Sequence, residues 1–199
     1  MRQKALLAAV ALIVLVVGAP MAFAGPNLLT NGSFETGDFT GWTEGANFED
    51  TEVVSGSFYD YSGAEDGNFY AVLGPVGSDG TLSQTFATTA GAHYTFSFWL
   101  NAVGDDPSDF SASWDGTTLY SATDPNTGNA WTLFSFTATG TGSDTIQLSF
   151  RDDPAYIALD NVSVTQSGGT TPEPSSLLLL GSGLLTVGGV IRRKFQANR

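Results

Sequence analysis

The side chains with chemistry to offer are four tryptophans, one histidine and several paired carboxylates, and there is no cysteine. Trp99 lies in the run Tyr94–Asn101, where Tyr94, Phe96, Phe98 and Leu100 alternate with polar residues. If the phenylalanines face a core, Trp99 faces outward with Ser97 and Asn101. A flat indole flanked by hydrogen-bonding groups can stack on a sugar ring. Alternatively, both faces of this strand are covered and Trp99 is core. Trp42 and Trp114 read as core fillers, and Trp131, just ahead of a strand, fits either role. Asp160 lies in Ile157–Val164, where a period of two places it on one face with Ala158, Val162 and Val164. A carboxylate on an apolar face is costly unless it is paired or metal-bound. A metal, a pairing with Arg151 and a turn cap are the three ways of satisfying it.

Catalytic constellations are weak. His93 sits in a turn ahead of a strand, and no Gly-x-Ser-x-Gly elbow occurs. The pairs Glu65-Asp66, Asp105-Asp106 and Asp152-Asp153 lie among Gly, Ser and Pro. A glycosidase needs two carboxylates across a cleft, about 5–5.5 or 6.5–9.5 Å apart. Adjacent acids in such loops read as solvated turn residues or calcium ligands. The lack of cysteine excludes thiol catalysis and cysteine metal sites. The expectation is a protein that is not an enzyme.

The elements that must position these residues are strands. Alternation marks Tyr94–Asn101, Phe134–Ala138 and Ile146–Phe150, and further strands are expected near 68–73, 81–87, 110–114 and 156–164. Gly74-Pro75, Ser78-Asp79-Gly80, Asp115-Gly116 and Asp124-Pro125-Asn126 punctuate them. No 3.6-residue apolar stripe occurs between the two ends of the chain. The fold class is therefore all-β, an antiparallel β-sandwich or jelly roll over 25–165, followed by a Gly/Ser/Thr linker at 166–171.

The two ends are of another kind. Arg2 and Lys4, an apolar run from Ala5 to Val17, and Ala22-Phe23-Ala24 make residues 1–24 a signal peptide, cleaved after Ala24 between small residues. At the other end Pro172-Glu173-Pro174 precedes an uncharged stretch, Leu177–Ile191, and then Arg192, Arg193 and Lys194. Fifteen helical residues reach about 22 Å, short of the roughly 30 Å hydrocarbon core. The basic cluster favours a membrane span, because Lys and Arg are retained on the cytoplasmic side. A short transmembrane helix over 177–191, inserted in the inner membrane, is expected. All twenty acidic residues lie within 25–174, where Arg151 is the sole Lys or Arg, leaving nineteen net negative charges. Such a surface repels nucleic acid and favours divalent cations.

The tail over 172–199 resembles the PEP-CTERM sorting signal of Gram-negative bacteria. That resemblance implies processing by an exosortase-type enzyme and delivery to the cell surface or extracellular matrix, in a setting of exopolysaccharide and biofilm. A second resemblance lies at the edges of the domain. Asn27-Leu28-Leu29-Thr30-Asn31-Gly32-Ser33-Phe34-Glu35 with Gly41-Trp42, and the closing Ile157–Val164, resemble galactose-binding-like jelly rolls, which include carbohydrate-binding modules. In that family a structural calcium commonly ties the opening segment to the last strand. Carried across, Glu35 and Asp160 supply carboxylates, supplemented by carbonyls near Asn31 and Gly32, since Ca²⁺ takes 6–8 oxygens. Together the resemblances imply an exported, non-enzymatic envelope or matrix protein with a carbohydrate-binding-like domain that organises exopolysaccharide. A purely structural matrix protein and an extracellular glycan hydrolase are the alternatives.

Overall fold

The computed structural model describes residues 25–104, 107–153 and 155–168. The expected signal peptide, the linker beyond 168, the sorting tail with its apolar stretch, and the Asp105-Asp106 pair lie outside the described residues. Ten strands follow in chain order: β1 (Thr43–Ala46), β2 (Thr51–Ser55), β3 (Phe69–Leu73), β4 (Gly80–Ala87), β5 (His93–Asn101), β6 (Ser108–Trp114), β7 (Thr117–Thr123), β8 (Thr132–Thr139), β9 (Ser143–Asp152) and β10 (Ile157–Gln166). They form two five-stranded antiparallel sheets, ordered β1-β4-β9-β6-β7 and β2-β3-β10-β5-β8.

Alternation places one side of each strand in the space between the sheets. The first sheet contributes Leu82, Phe86, Phe110, Trp114, Ile146, Leu148 and Phe150; the second contributes Leu73, Tyr94, Phe96, Phe98, Leu100, Leu159 and Val164. Phe98 is the hub of the aromatic packing, with ring centroids 5.3 Å from Phe110 and 5.5 Å from Phe134. A second, smaller cluster of Tyr61, Tyr70, Val72 and Ala158 lies on the other face of the second sheet, with Phe58, Ala64 and Trp131 packed against it. The chain between β2 and β3 therefore covers part of that outer face.

The opening segment is fastened to the closing strand, as the jelly-roll resemblance implies. The Asn27 amide donates to Val162 O at 2.9 Å and accepts from Val164 N at 2.9 Å. Leu28 N donates to Val164 O, and Val162 N to Gly32 O, each at 2.8 Å. Gln84 holds the same segment to the first sheet, accepting from Thr30 N at 2.6 Å and donating to Thr30 O at 3.0 Å. Trp42 and Trp114 are buried, as expected of core fillers.

Candidate functional site

The outer face of the second sheet has a covered half and an open half. Strand register lines up Ser163, Ser97 and Ser135 across β10, β5 and β8, and in the neighbouring row Thr165, Thr95 and Thr137. Asp160, Trp99 and Leu133 form the next row. Ser135 and Thr137 are exposed, Ser97 and Trp99 are half-buried, and Leu133 is 49% exposed. The result is an indole beside an exposed leucine, with two rows of hydroxyls on one side of it. Sequence alternation placed Trp99 and Ser97 correctly. It could not supply Ser135 and Ser163, because their neighbourhood depends on strand register, which no local pattern encodes.

The indole N–H groups distinguish the four tryptophans. Trp42 Nε1 donates to Asn31 O at 3.0 Å, Trp114 Nε1 to Asp144 Oδ1 at 3.2 Å, and Trp131 Nε1 to Gly63 O at 3.1 Å. Among the described residues Trp99 makes no such bond and no ring contact. Asn101 is a correction: it keeps the phase of Trp99 but is only 4% exposed. Its Oδ1 accepts from Thr127 Oγ1 at 3.4 Å, and the Thr127 hydroxyl also accepts from Ala102 N at 3.0 Å. The β7–β8 connection thus takes Asn101 out of the open surface.

Asp160 requires a second correction. The pairing of β10 with β5 slips between Asp160 and Ser163, and Asn161 there has a φ of 45°. This bulge changes the phase of the strand. Val162 and Val164 enter the main core, whereas Ala158 joins the outer cluster, and Asp160 shares its side rather than theirs. The carboxylate is wholly buried. Its Oδ2 accepts from Glu65 N at 2.8 Å and Asp66 N at 3.0 Å, and its Oδ1 from Asn161 N at 2.6 Å. Burial pushes its pKa up to about 6 against these three favourable bonds, and the charge of Glu65 adds to the rise. Arg151 is not its partner; that guanidinium is paired with Asp153.

Glu35, exposed at the surface, plays the matching role two residues further along the same segment. Its Oε1 accepts from Phe69 N at 2.9 Å and Asn68 N at 2.8 Å. These bonds, that from Phe69 foremost, hold its carboxyl below the usual range. Gly67 between the two clamps has a φ of 68°, and a Cβ there would run into the Glu35 carboxylate. The two acids expected to share a calcium thus share a peptide segment, 65–69, whose amides they accept.

Amide N–H groups donate to both Asp160 oxygens and to Glu35 Oε1, the Gly32 carbonyl accepts from Val162 N, and the Asn31 carbonyl accepts from Trp42 Nε1 at 3.0 Å. Among the described residues no three acidic or histidine side chains gather closely enough to hold a metal ion. His93 is exposed, with Nδ1 3.4 Å from Thr139 Oγ1.

Residues 170–194 match the PEP-CTERM protein-sorting motif. The motif marks an exported protein that is anchored at its C-terminus before processing. No curated protein matches the chain. Among solved structures, the chain is similar to the carbohydrate-binding module TmCBM61, solved with β-1,4-galactotriose, at 20% identity and TM-score 0.53, covering 71% of this chain and 99% of that one. A cyclase from Fischerella sp. TAU, solved with 4-(1H-indol-3-yl)butan-2-one, is similar at 16% identity and TM-score 0.55, covering 75% and 100%. The third is the xylanase 10B CBM22-1–GH10 structure of Clostridium thermocellum with xylohexaose, at 16% identity and TM-score 0.50; 73% of this chain matches 29% of that one. At these identities the likeness is one of fold: a jelly roll of the kind used by carbohydrate-binding modules.

Proposed function

We propose that the domain binds glycan through the open half of the second sheet, without chemistry, and that an exosortase-type enzyme processes the tail after export. The carrying observation is Trp99, which among the described residues has no hydrogen-bond or ring partner, set beside Leu133 with two rows of hydroxyls on one side of it. An amphipathic ring with an uncommitted N–H suits a sugar, whose apolar ring face and hydroxyl rim need both kinds of contact. Two further features support the reading. The fold is shared with a module solved on β-1,4-galactotriose. Among the described residues the exposed His93 has Thr139 as its hydrogen-bond partner and no carboxylate to orient its ring as a triad requires. In an exported protein the ligand is polysaccharide outside the inner membrane, and the role is to hold exopolysaccharide in the envelope or biofilm matrix. The test is affinity electrophoresis of the full chain through gels containing neutral polysaccharide. Trp99→Ala should weaken retardation about tenfold, the loss of one well-formed aromatic contact. Equal retardation of the variant and the wild type would remove Trp99 from the site.

A further inference from the structure

The most exposed large apolar side chain among the described residues is Tyr59, at 70%. It stands between β2 and β3 at the tip of a tight reversal. Phe58 and Tyr61 exchange backbone hydrogen bonds of 3.0 and 2.9 Å, leaving Tyr59 and Asp60 as the turn. Tyr59 has a φ of 48°, a left-handed conformation that a bulky aromatic adopts only under constraint. Its ring gains little burial in return. It leans on Tyr156, with centroids 5.0 Å apart, and Tyr156 in turn stands edge-on to Phe58 at 5.0 Å. The Tyr61 hydroxyl donates to the Tyr156 carbonyl, and Asn129 Nδ2 donates to Asp60 O at 3.2 Å, so both walls are braced. Tyr59, Asp60, Tyr61, Val103, Ala155 and Tyr156 line a shallow depression here. Burial, and then the charges near it, hold the Tyr156 phenol above its ordinary range, so its hydroxyl is a donor.

We propose that this depression is a second saccharide site, in which one neutral pyranose ring stacks on Tyr59 and its hydroxyls meet the Asp60 carboxylate and the Tyr156 hydroxyl. The inference rests on the glycan-binding reading above and adds a separate place and a ligand charge to it. A protein partner is disfavoured by size, since a stable interface needs about 800 Å² on each side and this depression is lined by six residues. Uronates are disfavoured because Asp50 and Glu52 act on Tyr156 as negative charges, while Arg151, the sole Lys or Arg within 25–174, is paired with Asp153.

The experiment uses the full chain, run through gels containing β-1,4-galactan or polygalacturonate. Tyr59→Asn is the informative variant, because asparagine tolerates positive φ but brings no ring. Tyr59→Asn and Trp99→Ala should each weaken retardation by galactan about tenfold, and the double variant should abolish it. Tyr59→Asn should melt with the wild type, and polygalacturonate should retard nothing. Retention of wild-type binding by Tyr59→Asn while Trp99→Ala loses it would overturn the second site and leave the first standing. A wild type that galactan does not retard would overturn both. Tyr59→Asn melting well below the wild type would make Tyr59 a structural residue, and preferential retardation by polygalacturonate would overturn the neutral ligand.

Discussion

Asp160 holds its carboxylate where the packing leaves it no water, and three amide N–H groups compensate only in part. Its pKa of about 6 fixes the sign of its effect on stability. Between the unfolded value near 4 and the folded value near 6, the native state keeps a proton that the unfolded chain has lost. The stabilisation from Asp160 is therefore complete below about pH 4 and is lost as pH rises through 6. The span of roughly two pH units corresponds to about 3 kcal/mol. Asp160→Asn cannot titrate, so its stability deficit relative to the wild type should be largest at pH 4 and shrink by about that amount by pH 7. Denaturant titration at the two pH values measures it, and a deficit that grows with pH would contradict the burial account. Glu35, Asp38 and Asp153 act in the opposite sense: hydrogen bonds hold their pKa values low, so their contribution fades as pH falls. Asp144 behaves likewise. Burial raises its pKa, but the Thr88 hydroxyl, the Thr141 amide and the Asp115 and Thr141 side chains outweigh burial and keep it well below the carboxylate range.

At the scale of elements, the segment 65–69 is the device that closes the covered half of the second sheet. Asp160 accepts the amides at its start and Glu35 those at its end. A cation between the two acids would have to displace those donors. Calcium should then raise the melting temperature of the full chain no more than magnesium does, through general screening of an acidic domain. A calcium-specific rise that Glu35→Gln abolishes would show a shared ion instead. The seven strands that the sequence announced all form; most have one face in the main core and read as an alternation, while β3, buried on both faces, reads as the apolar run Phe69–Leu73. β1, β2 and β7 escaped notice for physical reasons. Val53 faces the main core and adjacent Val54 the smaller cluster, so β2 has no alternation. β7 is an edge strand with a register slip opposite Ala112–Ser113, and β1 is four residues long. The bulge at Asn161 defeated the period-two reading of Asp160 in the same way; its only local sign is an asparagine, a residue that tolerates positive φ. Tyr59 carried no sign at all, since its exposure comes from a turn whose shape is set by long-range contacts.

At the scale of the molecule, an acidic jelly roll with no disulfide precedes a PEP-CTERM sorting motif. Trp99 was legible as a candidate because outward phase is a local property, whereas the company it keeps is a property of the sheet. The central claim, that the open half of the second sheet is the glycan face, makes a specific demand on the four indole N–H groups. Three are bonded within the domain, to Asn31 O, Asp144 Oδ1 and Gly63 O, and serve as internal controls. The direct measurement is an indole N–H NMR titration of the full chain in detergent micelles with neutral oligosaccharides, β-1,4-galactotriose and xylohexaose among them. The Trp99 signal, assigned by its loss in Trp99→Phe, should move progressively to saturation while those of Trp42, Trp114 and Trp131 stay fixed. A Trp99 signal that stays fixed across the whole series, or saturable shifts in the buried indoles alone, would contradict the account.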